Sequence, residues 1–220
     1  MLQTVERQTG ADPRWCVLWL HGLGADGNDF APIVPQLVRP DWPAIRFVFP
    51  HAPLRQVTIN GGMRMRAWYD IRSLSIDQRA DQQGVRESMA QVEALIAREG
   101  ERGIPPARVI LAGFSQGGAI ALSAALRREQ ALAGVMALST YLPMAAQTPS
   151  EATAGGCGTP VFMAHGLLDP VVMLDLGERS RDALRAMGVP VEWHTYPMPH
   201  AVCPDEINDI RHWLDQRLHG

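Results

Sequence analysis

Six short runs of this chain are almost continuously apolar and bounded by Gly or Pro: WCVLWL (15–20), IRFVFP (45–50), RVILAG (108–113), AGVMALS (133–139), PVFMAHG (160–166) and VEWHTYP (191–197). A strand with one face in water alternates apolar and polar residues, so runs without that alternation predict strands buried on both faces. Helix-like stretches lie between them at about 30–39, 84–102, 116–129, 176–187 and 204–218. The second carries Val85, Met89, Val92, Leu95 and Ile96 close to a 3.6-residue period. Strands alternating with helices imply an α/β fold: a mainly parallel sheet with helices on both faces, in one domain spanning 1–220. Two segments, 51–83 and 140–159, read as long irregular connections, a length that is usually functional or mobile.

Composition narrows the chemistry. All 20 basic residues are Arg and none is Lys, which removes a Lys nucleophile, a Schiff-base Lys and a Walker A phosphate loop. The net charge of -3 and the dispersed charges give no general attraction to nucleic acid. Cys16, Cys157 and Cys203 are far apart and form no C-x-x-C pair, so neither a disulfide framework nor a zinc site is expected. The N-terminus lacks the apolar core of a secretory signal and no apolar stretch approaches the length of a membrane span, so the expected location is the cytoplasm.

RVILAGFSQGG places Gly113-Phe114-Ser115-Gln116-Gly117 after a strand and before a helix. G-x-S-x-G in that setting is the sharp strand-to-helix turn that lifts a serine hydroxyl above a sheet, with small flanking residues because the backbone is crowded there. Such a hydroxyl needs a base, and the base an orienting carboxylate. Of the seven His, His194 falls within a strand, and His212 and His219 fall in the last helix or tail, where surface or packing roles are expected. His21 and His165 precede Gly at strand ends and suit loop hydrogen bonding, while His51 stays undecided. His200 lies in the loop between the last strand and the last helix and is the expected base. Asp169, in the loop after PVFMAH, is the expected carboxylate. Asp175 and Asp205 are expected to cap the two helices that follow. The order Ser115, Asp169, His200 is that of α/β-hydrolases.

LHGLGADGNDF, INGG followed by AWYDI, GFSQGG, LSTYLP, HGLLDPVV, LGERSRDAL and YPMPHAV together resemble the carboxylesterase and acyl-protein thioesterase family of small α/β-hydrolases, also described as phospholipase/carboxylesterases. The similarity runs from about residue 15 to the C-terminus with its motifs in family order. It implies the triad Ser115, Asp169 and His200, an oxyanion hole from the backbone N–H groups of Leu23 and Gln116, and no large cap domain. The segment 60–76 matches the family least well, with Met63-Arg64-Met65-Arg66 standing where its members vary.

Gly22-Leu23-Gly24-Ala25-Asp26-Gly27 also reads as G-x-G-x-x-G, the dinucleotide-binding turn. The acidic residue that would hold a ribose is missing: IRFVF ends in Pro50-His51, and Asp41 precedes that strand. The glycines are expected instead to bend the backbone so that the Leu23 N–H faces the serine.

The implied activity is hydrolysis of short to medium acyl esters, with thioesters and lysophospholipids as related substrates, by a monomer or homodimer. No metal or cofactor is called for, because side chains alone activate the nucleophile. A binding protein on the same scaffold, a peptidase and an acyltransferase to an alcohol are the rival readings. Amide cleavage calls for a peptide-sized cleft for which this chain has little room. Segment 55–72 admits two readings: a solvated Arg face over a packed aromatic patch, or a flap with Met63, Met65 and Trp68 lining an acyl groove.

Overall fold

The computed structural model describes residues 1–73 and 81–219. The strands are β1 (Thr4–Gln8), β2 (Trp15–Leu20), β3 (Ile45–Pro50), β4 (Leu54–Val57), β5 (Met63–Arg66), β6 (Val109–Phe114), β7 (Gly134–Leu138), β8 (Val161–Gly166) and β9 (Val191–Tyr196). The helices are α1 (Val34–Leu37), α2 (Gln82–Glu101), α3 (Gln116–Leu126), α4 (Thr148–Glu151), α5 (Ala154–Cys157), α6 (Leu174–Ala186) and α7 (Pro204–Leu218). Seven strands form one sheet in the order β1-β3-β2-β6-β7-β8-β9, parallel except for β1, and β4 pairs with β5 in a separate ribbon.

All six expected strands are present, and their lack of alternation has the anticipated cause. Cys16, Leu18 and Leu20 of β2 belong to one apolar core and Val17 and Trp19 to a second on the opposite face. The same division separates Val109 and Leu111 from Ile110 and Ala112, and Val161 and Met163 from Phe162 and Ala164. Helices α2, α3 and α6 cover the first face, and α1 and α7 the second.

Several local expectations need correction. Strand β1 was not anticipated, because TVERQ is polar; it is an edge strand whose Glu6 is held by Arg98 (2.9 Å) and Arg102 (3.0 Å). The irregular segment 51–83 contains the β4–β5 ribbon, and its residues 74–80 lie outside the described residues; 140–159 contains α4 and α5. The helix expected at 30–39 shrinks to a 3-10 turn, Ala31–Ile33, followed by α1, since Pro32, Pro35 and Pro40 supply no N–H to a longer ladder. Neither Asp175 nor Asp205 is a cap. Helix α6 begins at Leu174 with Met173 as N-cap, and α7 at Pro204 with Cys203 as N-cap, so both carboxylates stand inside the first turn. There they face the positive end of the helix dipole rather than close a cap.

Parallel register brings the site together. Leu20 pairs with Gly113, Phe114 with Leu138, Leu138 with Ala164 and Gly166 with Tyr196, so the loops following β2, β6, β7, β8 and β9 all leave the same edge of the sheet.

Candidate active site

Ser115 is the N-cap of α3, with φ 53° and ψ -121°, a conformation that an L-residue holds only under constraint. Its N–H donates to Leu138 O (2.8 Å), and its carbonyl accepts from Ala119 N–H (3.1 Å) and Thr140 Oγ1 (2.6 Å). The flanking glycines are there for space. A Cβ on Gly113 would run into the Gly117 backbone, and one on Gly117 into the carbonyl of Leu20. Strain continues at the neighbouring strand end, where Ser139 has φ 45°.

The carboxylate of Asp169 is fully enclosed and its acceptor sites are used. Oδ1 accepts from the N–H groups of Val171 (2.8 Å) and Val172 (2.9 Å), and Oδ2 lies 2.6 Å from Nδ1 of His200. With Nδ1 donating to Asp169, Nε2 of His200 is left as the basic nitrogen. The imidazole rests against Phe114, ring centroids 4.7 Å apart, and Phe114 immediately precedes Ser115.

Gly22 lies against the same turn: a Cβ there would stand 3.6 Å from Ser115 Cβ and 3.3 Å from the Phe114 ring. The N–H groups of Leu23 and Gln116 donate to no other protein group among the described residues. His21 braces this loop. Its Nε2 accepts from Ala52 N–H (3.0 Å), so Nδ1 carries the proton and donates to Gly22 O (2.7 Å). Burial pushes its pKa down to about 4, which keeps the ring neutral. His165 is likewise lowered by burial and donates from Nε2 to Val172 O (2.8 Å), closing the Asp169 loop from behind. His51 accepts from Gly27 N–H (3.1 Å), a structural task that sequence left undecided.

The segment expected to form a groove is arranged differently. Trp68 is fully buried in the core, and its Nε1 donates to His21 O (2.9 Å), which steadies the Gly-rich loop. The side chain of Gln116, read from sequence only as a backbone donor, holds Trp68 N–H on Oε1 (2.8 Å) and gives a hydrogen bond from Nε2 to Tyr69 O (2.7 Å). Met65 is half-buried beside Gly24, and Met63 is exposed on β5. The cleft at Ser115, about 300 Å³, is walled instead by Leu23, Ile59, Asn60, Tyr69, Ile71, Gln116, Tyr141, Pro170, Val171 and Val172. None of Met63, Met65 and Trp68 is among these. At its floor the hydroxyls of Tyr69 and Tyr141 meet at 2.8 Å. The wall residues come from five separate segments and share no period, which hid them from sequence reading. A larger hollow of about 610 Å³ between α2 and α3 is remote from this chemistry, and its Arg86 and Arg127 are already paired with Glu151 (2.6 and 2.7 Å).

Among the described residues, no helix is long and apolar enough to cross a membrane. The sequence profile of the Phospholipase/Carboxylesterase family matches residues 4–218. Acyl-protein thioesterase 1 of Cryptococcus neoformans var. neoformans serotype D is 38% identical over 219 residues, covering 92% of each chain. The crystal structure of Zea mays acyl-protein thioesterase 2 superposes with a TM-score of 0.86 at 30% identity, covering 99% of this chain and 100% of the other. That of Arabidopsis thaliana SOBER1 gives 0.87 at 31% identity, covering 93% and 99%. The match across nearly the whole chain, joined to a strained serine at a strand-to-helix turn, establishes that this chain belongs to the phospholipase/carboxylesterase family of α/β-hydrolases and is a serine hydrolase.

Proposed function

We propose that the enzyme cleaves carboxylic esters and thioesters of short to medium apolar acyl groups, with Ser115, His200 and Asp169 as its triad. The observation that carries this reading is the 2.6 Å contact between His200 Nδ1 and Asp169 Oδ2, with the imidazole resting on the residue next to Ser115. His200 Nε2 takes the Ser115 proton as Oγ attacks the acyl carbonyl, and Asp169 holds the tautomer and stabilises the imidazolium. The N–H groups of Leu23 and Gln116 receive the oxyanion, each such donor lowering the barrier by roughly 3 kcal/mol. The leaving alcohol or thiol departs, and water, activated by the same imidazole, releases the acid from Ser115.

The acyl group sits in the cleft walled by Leu23, Ile59, Ile71, Val171 and Val172, which is apolar and small. Leu54 and Met63 of the β4–β5 ribbon, and Leu167, Leu168 and Met173 after β8, are exposed apolar side chains on the segments that also supply Ile59 and Val171. Thioesters are included because the Cryptococcus neoformans and Zea mays relatives are acyl-protein thioesterases and because a thiolate leaves with little help from an acid. Hydrolysis of matched ester and thioester series from acetyl to dodecanoyl tests the reading. Rates should rise over the first added methylenes, by at most about 0.8 kcal/mol each, and level off once the cleft is filled. Cleavage of simple peptides in preference to both series would overturn it.

A further inference from the structure

Two backbone N–H groups, on Leu23 and on Gln116, must face one point beside Ser115 if they are to hold a single oxygen. They arrive there on separate loops. The ladder between β2 and β6 ends at the pair Leu20–Gly113, before either donor is reached, so the sheet by itself does not fix the gap between them.

Beyond the ladder, both loops are fastened to one short segment, residues 66–69. On the Leu23 side, Trp68 Nε1 donates to His21 O (2.9 Å) and Gly24 N–H donates to Arg66 O (2.9 Å), so the chain is held both before and after the donor. On the other side, the Gln116 side chain grips the same segment with both ends of its amide. Its Oε1 accepts from Trp68 N–H (2.8 Å), and its Nε2 donates to Tyr69 O (2.7 Å). The segment is fixed from behind in turn, where Ser88 Oγ of α2 donates to Trp68 O and Ala67 N–H donates to Pro53 O (3.0 Å). Trp68, Ser88 and Gln116 are all buried, so water does not compete for these bonds. Gly117 packs so closely on His21 O that a Cβ there would overlap it.

We propose that residues 66–69 are a crossbar that sets the spacing of the two oxyanion donors, with Trp68 and the Gln116 side chain as its positioning residues. Trp68 is the key member, because it is bonded to both loops at once. The proposal rests on the reading of the Leu23 and Gln116 N–H groups as those donors. Among the described residues, Ser115, His200 and Asp169 make no hydrogen bond to the segment, so loosening it leaves the contacts of the triad in place. What is lost is the hold on an oxygen that becomes negative only in the transition state, which lowers kcat and spares KM.

The test pairs 4-nitrophenyl acetate with its thiono counterpart, in which sulfur replaces the carbonyl oxygen. Each kcat/KM is divided by the rate constant for hydroxide, so that intrinsic reactivity cancels. Sulfur accepts hydrogen bonds weakly, so the preference for oxygen over sulfur reads the donor pair directly. In the parent enzyme it should be at least about a hundredfold. Trp68→Phe removes the indole N–H and keeps a buried ring; Gln116→Met removes both side-chain bonds and keeps the backbone N–H. Each should lower kcat for the oxygen ester by about thirtyfold, leave KM within about twofold and shrink the oxygen preference by about tenfold. Trp42→Phe is the matched control, since it cuts an indole bond to Asp215 (2.6 Å) ahead of β3, at the opposite edge of the sheet, and should leave the preference unchanged. An oxygen preference that stays at the parent value in either folded variant overturns the proposal, as does an equal shrinkage in Trp42→Phe. If Trp68→Phe does not fold, as judged by circular dichroism, Gln116→Met decides. Failure of the donor reading would look different: the parent itself would lack the oxygen preference, while Ser115→Ala would still be inactive.

Discussion

The serine turn and the β4–β5 ribbon border the same cleft, yet they are built to opposite standards. At the turn, a Cβ on Gly113 or Gly117 would collide with backbone, and both the N–H and the carbonyl of Ser115 are engaged. In the ribbon, Gly61 and Gly62 have nothing within 4 Å of a Cβ, and Leu54 and Met63 project into solvent. The ribbon is joined to the Gly-rich loop through the hydrogen bond from Gly24 N–H to Arg66 O (2.9 Å). Positions that move electrons are held from several directions, because a small misplacement of reacting atoms costs orders of magnitude in rate. Positions that hold an acyl chain need only exclude water, so they tolerate an open and loosely tied wall.

That contrast breaks down if substitutions in the two regions act alike, and the widest gap is expected at the serine. Ser115→Ala should lower kcat by about a million-fold, and a fluorophosphonate that labels the parent enzyme should no longer label the variant. Persistent labelling would move the nucleophile to another residue. Next in size, Asp169→Asn should cost roughly ten-thousand-fold in kcat with little change in KM, through loss of the correct His200 tautomer.

Trp68→Ala separates the two assignments that sequence left standing for its segment. As a buried brace, its loss should destabilise the fold by about 3–5 kcal/mol in urea unfolding. The residual activity should fall by the same factor for acetyl and octanoyl esters. A loss confined to octanoyl esters would return Trp68 to the acyl groove. The smallest effect belongs to the cleft wall. Ile59→Ala and Val171→Ala should each lower kcat/KM for octanoyl esters by about fivefold, about 1 kcal/mol, and leave acetyl esters within about twofold. Equal loss on both substrates would mean that the wall supports the catalytic turn rather than the acyl chain.

The three residues proposed as the triad stood out in the sequence because each falls in a loop at the end of a strand, and the strands announce themselves by unbroken apolar runs. The Gly-rich turn was legible for a related reason: the missing acidic residue after IRFVF told against a nucleotide, and the glycines matched a backbone bend beside the serine. Strand β1 was not legible, since an edge strand pairs by backbone and needs no apolar run. The start of the helix at 174 was placed two residues late, and Asp205 was misread as the cap of a helix whose bounds, 204–218, were read correctly, because Asp is equally at home as a cap and in the first turn.

What the sequence by itself determined is therefore whatever a local rule can carry: buried strands from their lack of alternation, and a serine at a strand-to-helix turn from the small residues around it. Tertiary structure alone decided the rest. Trp68 became a brace because His21 O lies within reach of its indole N–H, across 47 residues of chain. The cleft took its wall from Leu23, Ile59, Tyr69, Tyr141 and Val171, which follow β2, β3, β7 and β8 and meet only because those parallel strands are neighbours, with β6 among them, in one sheet. Glu206 looks like an ordinary first-turn acid in the sequence, and only the packing around α7 removes it from water. Side-chain environment is a property of distant neighbours, and no spacing along the chain encodes it.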